Sequence, residues 1–239
     1  MQRIAKSFHG LSFYYWYRGR TYVLDLSHNK LQVLLPKVFD SLDLDRVYLQ
    51  HNDLSQLHTE TFRGLTLSKN GILDMSRYKL QDLPPKVFGG LELNRLYLQQ
   101  NNLVQLHAET FQNLTFGQES ILDMSHNKLQ ELPPKVFDTL ELDRLYLQNN
   151  NILQLHAGTF QGLTFGRYCS RCILDMSQNQ LQVLHADAFH GLTFGQNGIL
   201  DMSQNKLQSL HAEAFHGLKF GQNGILDMSQ NNLQDLPPK

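Results

Sequence analysis

The sequence predicts one α/β solenoid, a curved stack of short parallel strands, and three observations carry that prediction. One segment, Leu24-Asp25-Leu26-Ser27-His28-Asn29-Lys30-Leu31, recurs nine times along the chain. Its copies are spaced almost evenly, which is the mark of a repeat architecture. Leucine supplies 44 of the 239 residues, as a core assembled by repetition requires.

The copies centre on Asn29, Asn52, Tyr78, Asn101, Asn127, Asn150, Asn179, Asn205 and Asn231, at intervals of 23, 26, 23, 26, 23, 29, 26 and 26 residues. The step from Leu44 to Val47 is three residues, that from Phe194 to Leu200 is six, and that from Phe165 to Leu174 is nine. Insertions therefore enter at one place, just before the Leu-x-Leu segment. Extra residues are tolerated where a loop reaches the surface, so a bulging loop is expected at one edge.

Alternation in Leu24-Asp25-Leu26 suits a strand that turns Leu24 and Leu26 inward and Asp25 outward. Nine such strands stacked in parallel bury a leucine and methionine column. Phe39, Phe62, Phe88, Phe111, Phe137, Phe160, Phe189 and Phe215 form a second column behind it. The recurrent asparagine falls where the chain leaves the strand, and a buried amide there can satisfy turn backbone. Tyr78 interrupts this series, and local loosening is expected around it.

The pattern L-x-L-x-x-N-x-L-x-x-L-x-x-x-x-F-x-x-L closely resembles the leucine-rich repeat. The resemblance is to the form found in animal extracellular proteins such as Toll-like receptors, chaoptin-like adhesion proteins and variable lymphocyte receptors. It runs from about Phe8 to Lys239. It implies a parallel-stranded concave sheet, with turns and short helical or extended segments on the convex side. It also implies a protein-binding role in a secreted or receptor-like ectodomain, in adhesion or innate immunity. An intracellular scaffold, or an array with no evolved partner, is the alternative. The cysteine-rich caps usual in such arrays do not occur.

The whole chain, 1–239, reads as a single array, with 1–22 a partial first repeat, about nine strand units from 23 onward, and an incomplete last repeat. Phe8 to Phe13 matches Phe215 to Phe220, and Leu236-Pro237-Pro238-Lys239 matches Leu83 to Lys86. A piece of a longer array is therefore expected, with self-association through its uncapped ends. The run Tyr14-Tyr15-Trp16-Tyr17 with Arg18 and Arg20 is expected to cover the first repeat.

Composition narrows the function. A formal charge of −1 with 18% charged residues offers no broad grip on nucleic acid. No apolar run approaches the roughly 20 residues of a membrane span. Met1 to Phe13 is broken by Arg3, Lys6, Ser7, His9 and Gly10 and does not read as a signal peptide. An extracellular or cell-surface location is thus implied by the resemblance alone, and a cytoplasmic one stays open. No nucleophile, base and oxyanion constellation and no glycine-rich phosphate loop emerges, so a non-enzymatic protein with no cofactor is expected.

The outward strand residues are the expected partner-binding face: Arg46, Tyr48 and Gln50; Arg95, Tyr97 and Gln99; Arg144, Tyr146 and Gln148; then Asp175, Asp201 and Asp227. Tyrosine and arginine are enriched at the energetic centres of protein interfaces. The plainer reading pairs Arg46 and Arg95 with Asp74 across strands, as exposed ion pairs worth little. Stacked Asp175, Asp201 and Asp227 repel one another, which hydration relieves more simply than a bound cation, and no metal is expected. Ile173, Ile199 and Ile225 either form an apolar stripe beside them or turn inward. Histidines at 58, 107, 156, 185 and 211 share one repeat position, which would allow a pH-sensitive or metal-binding stack, but Pro84 and Pro133 occupy it elsewhere, so a tolerant surface site is expected. Cys169 and Cys172, in the longest insertion, are expected to form a local disulfide or remain as two thiols. Asn113-Leu114-Thr115 is a candidate glycosylation sequon.

Overall fold

The computed structural model describes residues 15–16, 21–166, 169 and 171–236, with the backbone alone at 15, 16 and 69. Along the chain run β1 (Tyr15–Trp16), β2 (Thr21–Asp25), β3 (Asp43–Tyr48), β4 (Thr66–Asp74), β5 (Glu92–Tyr97) and β6 (Thr115–Asp123). There follow β7 (Glu141–Leu142), β8 (Arg144–Tyr146), β9 (Gln154–Leu155), β10 (Thr164–Phe165) and β11 (Ile173–Asp175). The last are β12 (Val183–Leu184), β13 (Thr193–Phe194), β14 (Ile199–Asp201), β15 (Lys219–Phe220) and β16 (Ile225–Asp227).

Ten of these form one sheet in the order β1-β2-β3-β4-β5-β6-β8-β11-β14-β16. All neighbours are parallel except β1, which lies antiparallel on β2 and covers its outer edge. This is the end at which the aromatic run is expected to sit; Tyr14, Tyr17, Arg18 and Arg20 lie outside the described residues. Each strand from β2 onward is one coil of the solenoid, so the sheet grows by stacking each coil on the one before.

The core behind the sheet holds the two predicted columns. Leu24, Val47, Leu73, Leu96, Leu122, Leu145, Leu174 and Leu200 are buried, as are Met75, Met124, Met176 and Met202. The eight phenylalanines from Phe39 to Phe215 stack face to face, with centroids 5.6 Å apart at one end of the range and 6.1 Å at the other. A shorter second stack, Phe165, Phe194 and Phe220, with centroids 4.5 and 5.0 Å apart, forms behind the late insertions.

The insertions take three forms, of which the simplest is a turn at the entry edge, between β13 and β14 and between β15 and β16. In β4 and β6 the strand lengthens and the register jumps, so that Leu44 pairs with Leu67 but Arg46 with Ile72, and Leu93 pairs with Phe116 but Arg95 with Ile121. The extra residues are thus absorbed as bulges at the entry edge of the sheet. Between β10 and β11 the longest insertion instead forms a loop closed by a Cys169–Cys172 disulfide, with Cα atoms 5.6 Å apart.

On the opposite side no described residue is helical. The segments are turns supplemented by the parallel pair β9–β12, while the pairs β7–β10 and β13–β15 continue the entry edge of the main sheet. Helix is blocked because the residue two places after each phenylalanine of the long stack (Ser41, Gly64, Gly90, Asn113, Thr139, Gly162, Gly191 and Gly217) has positive φ, as do Lys37, Lys86, Lys135 and Asp187 two places before. One left-handed residue ends a helical run after a single turn.

The asparagines tie consecutive coils together. Asn127 Nδ2 donates to the Leu98 carbonyl of the preceding coil at 3.0 Å and to the Met124 carbonyl of its own at 3.1 Å. Its Oδ1 accepts from the Leu103 amide at 3.1 Å. The same set recurs at Asn52, Asn101, Asn150, Asn179, Asn205 and Asn231.

Tyr78 does not loosen its coil. It is buried, and its hydroxyl donates to the Leu49 carbonyl, the acceptor that an asparagine there would reach. Burial pushes that hydroxyl well above the ordinary tyrosine range, so it stays protonated and able to donate. What the tyrosine lacks is an amide oxygen for Leu54, whose counterparts Leu31 and Leu80 each donate to one.

Asn127→Ala strands the buried Leu103 amide and removes three further bonds, to the Leu98, Met124 and Ser125 carbonyls. It should lower unfolding stability by about 3 kcal/mol, read as a shift in the urea midpoint. Tyr78→Phe removes one hydroxyl from a carbonyl that Asn52 also serves and should cost no more than about 1 kcal/mol. A Tyr78→Phe loss as large as that of Asn127→Ala would refute the substitute role given to the hydroxyl.

Candidate functional site

Side chains alternate across a strand, so every coil sends the same positions to solvent. Register then converts sequence periodicity into rows. One row runs Val23, Arg46, Ile72, Arg95, Ile121, Arg144, Ile173, Ile199, Ile225. The next runs Asp25, Tyr48, Asp74, Tyr97, Asp123, Tyr146, Asp175, Asp201, Asp227 across the same strands. Tyr48, Tyr97 and Tyr146 thus stand between aspartates, half-buried, with arginines in the adjacent row. Ile173, Ile199 and Ile225 face outward with Asp175, Asp201 and Asp227, so the stripe reading is the one observed.

The ladder of Arg46 and Arg95 with Asp74 does not form. The register sets both arginines against Ile72, while Asp74 lies beside the tyrosines. Arg95 instead reaches Glu119 in the β6 bulge, at 3.6 Å. Beyond the tyrosine row, Gln50, Gln99 and Gln148 each hold a buried Oε1 with no hydrogen-bond donor.

The aspartates are held by the turn that follows them. Asp74, Asp123, Asp175, Asp201 and Asp227 each accept the backbone N–H two residues on, at 2.8 to 2.9 Å. Burial nevertheless raises the Asp123 and Asp175 carboxyls above the usual range; the Ser125 and Ser177 bonds oppose it, and for Asp175 the charges of Asp201 and Asp123 add to it. At the exposed end the order reverses. The Ser229 backbone and hydroxyl hold Asp227 below its ordinary value. Burial likewise raises the Tyr146 hydroxyl.

Along the entry edge, a cavity of about 440 Å³ is lined by Arg95, Arg144 and Arg171 with Glu119, Asp143, Ile121 and Cys169. Sequence reasoning named Arg95 and Arg144 but missed Glu119, Asp143 and Arg171. The only signal for Glu119 and Arg171 was the variable insertion length, because the β6 bulge and the cystine loop carry them to this edge, while Asp143 lies in a short repeat between β7 and β8.

Comparison with protein families agrees with this geometry. A profile described as leucine rich repeat matches residues 43–103, 92–152 and 118–165, and a second of the same description matches 21–42. The chain belongs to the leucine-rich repeat family. No curated protein shows a significant match. Among the described residues no helix is long and apolar enough to cross a membrane.

The remaining candidates lie away from the leucine-rich repeat sheet's outer rows. Asn113 is exposed in the turn after Phe111, at φ 63°. Of the five recurrent histidines, His156 and His185 stack with centroids 5.4 Å apart, while His107 faces Asp82 at 3.1 Å. His58 and His211 accept turn amides through Nδ1. They do not form one continuous stack.

Burial of Asp123 has a sign that can be checked. A raised folded pKa means stability that is fully present below the unfolded value of 3.8 and is lost as pH rises through the folded value. Asp123→Asn keeps an oxygen for the Ser125 amide without the charge. It should therefore melt higher than wild type at pH 7, with the difference shrinking as pH falls toward 4. A difference that grows on acidification would refute the burial assignment.

Proposed function

We infer that this leucine-rich repeat array is a protein-binding module whose contact surface is the outer face of the sheet, centred on β3 to β8. The observation that carries this reading is the in-register array of Tyr48, Tyr97 and Tyr146 flanked by Arg46, Arg95 and Arg144. A tyrosine already half-buried by its neighbours loses little side-chain freedom on binding, and Arg46 and Arg144, set against isoleucines, keep donors for a partner. Nine strands about 4.8 Å apart span on the order of 40 Å, the scale of a protein interface. The cavity beside these rows, with Arg95, Arg144 and Arg171 facing Glu119 and Asp143, suits a polar group of the same partner.

The setting we assign is a secreted or cell-surface ectodomain serving ligand recognition or adhesion. The resemblance to animal extracellular arrays supports it, and so does the Cys169–Cys172 bridge, since disulfides persist in oxidising compartments.

The test immobilises the wild-type chain beside one with Tyr48, Tyr97 and Tyr146 all changed to Ala. Both are passed through extracellular-protein pools, and each retained species is then measured by surface plasmon resonance. The partner should bind the variant at least about 100-fold more weakly, as loss of two or more interface anchors implies. Equal affinity, with unchanged circular dichroism, would remove this face as the binding site.

A further inference from the structure

Outside the sheet, the last coils carry a cluster that the binding face does not use. Asp187-Ala188-Phe189-His190 and Glu213-Ala214-Phe215-His216 occupy equivalent positions in successive coils, on the turn that leads into and out of the buried phenylalanine. Asp187 Oδ1 lies 2.9 Å from His216 Nδ1 and 3.9 Å from His190 Nδ1. The two imidazoles stack with centroids 5.2 Å apart, and the three ligand atoms all fall within 4.8 Å of one another. We propose that Asp187, His190 and His216 form a binding site for a divalent transition-metal ion of the zinc class.

Donor chemistry selects that class. One carboxylate oxygen and two imidazole nitrogens suit zinc, whereas calcium and magnesium favour oxygen alone. Zinc at about 2.0 to 2.1 Å from each donor would set them about 3.3 Å apart in a tetrahedral arrangement. The 2.9 and 3.9 Å separations straddle that value, so closure asks only for side-chain rotation. Solvent or a partner group would complete the coordination.

The backbone already holds the donors. His190 N–H donates to the Asp187 carbonyl at 3.1 Å, His216 N–H to the Glu213 carbonyl at 3.1 Å, and Asp187 N–H to the Glu213 carbonyl of the next coil at 3.0 Å. Access is open as well. Gly217 has φ 75°, and a Cβ there would come within 2.7 Å of His190 Nδ1, so glycine leaves that nitrogen uncovered. Other coils lack the set. The positions of His190 and His216 hold Asp40, Arg63, Gly89, Gln112, Asp138 and Gln161 earlier in the chain. His107 has Asp82 but no second imidazole, and His185 meets the Gln154 amide oxygen beside His156.

Isothermal titration of the full chain with zinc chloride, in a buffer free of chelator and phosphate, tests the proposal. The expected result is one saturable site per chain, weakened about tenfold or more by His216→Ala and by Asp187→Asn. A His156→Ala/His185→Ala double variant should bind as wild type does. None of these side chains is buried, and circular dichroism checks that each variant folds. No saturable binding overturns the proposal, as does undiminished binding by His216→Ala. Equal weakening in the His156/His185 variant would place the ion elsewhere and overturn it too.

Discussion

Where each coil leaves its strand, carbonyl groups and one amide point inward, away from water, and the solenoid stands or falls on how they are satisfied. A buried unpaired backbone group costs about as much as a hydrogen bond is worth and often more. The amide of asparagine resolves three such groups at once, because Nδ2 has two protons and Oδ1 two lone pairs. Two of its bonds cross to the preceding coil and the others stay within its own, as at Asn150 and Asn179. The leucine and phenylalanine columns supply the burial energy. The asparagine fixes how far each coil advances, and the strand register follows from that advance.

That constraint organises the outer face. Because successive coils are locked in step, Arg46 must meet Ile72, and Tyr48 must meet Asp74. The row aspartates therefore lie beside tyrosines and the row arginines beside isoleucines, and Arg95 finds its carboxylate in the β6 bulge, at Glu119. The cost is visible in Asp123 and Asp175, whose carboxyls are partly desolvated between tyrosines and further aspartates. Their bonds to the turn amides offset that cost only in part. The outward rows and the desolvation within them thus come from the same lattice. The putting of metal-ligating side chains on the opposite turns, at Asp187, His190 and His216, uses the same stacking: neither coil holds the three donors by itself.

Departures from the repeat are as informative as the repeat. Tyr78 shows that the requirement at the turn is a donor for Leu49, which a phenol meets as an amide does, while its aromatic ring remains buried. Loosening was a reasonable expectation from side-chain identity, but it left out the reach of a tyrosine across one coil. The insertions show a similar division. Three added residues lengthen a strand and bulge in β4 and β6 but form a turn after β13 and β15, whereas the longest insertion closes on itself through Cys169 and Cys172.

By itself the sequence determined the solenoid, its strand positions, both principal core columns and the residues that face outward. Those follow from two-residue alternation and a constant repeat, which are local and periodic properties. The tertiary structure decided which side chains become neighbours between coils. The distance from Arg95 to Glu119, the cavity with Arg171, and the meeting of Asp187 with His216 all depend on stagger between segments some 24 to 29 residues apart. It also decided against helix behind the sheet, because left-handed turn residues such as Lys86 and Asp187 are set by the hydrogen bonds of the adjacent coil, Lys86 to Glu109 and Asp187 to Glu213. No single repeat contains that information, since the physical cause lies in the contact between two.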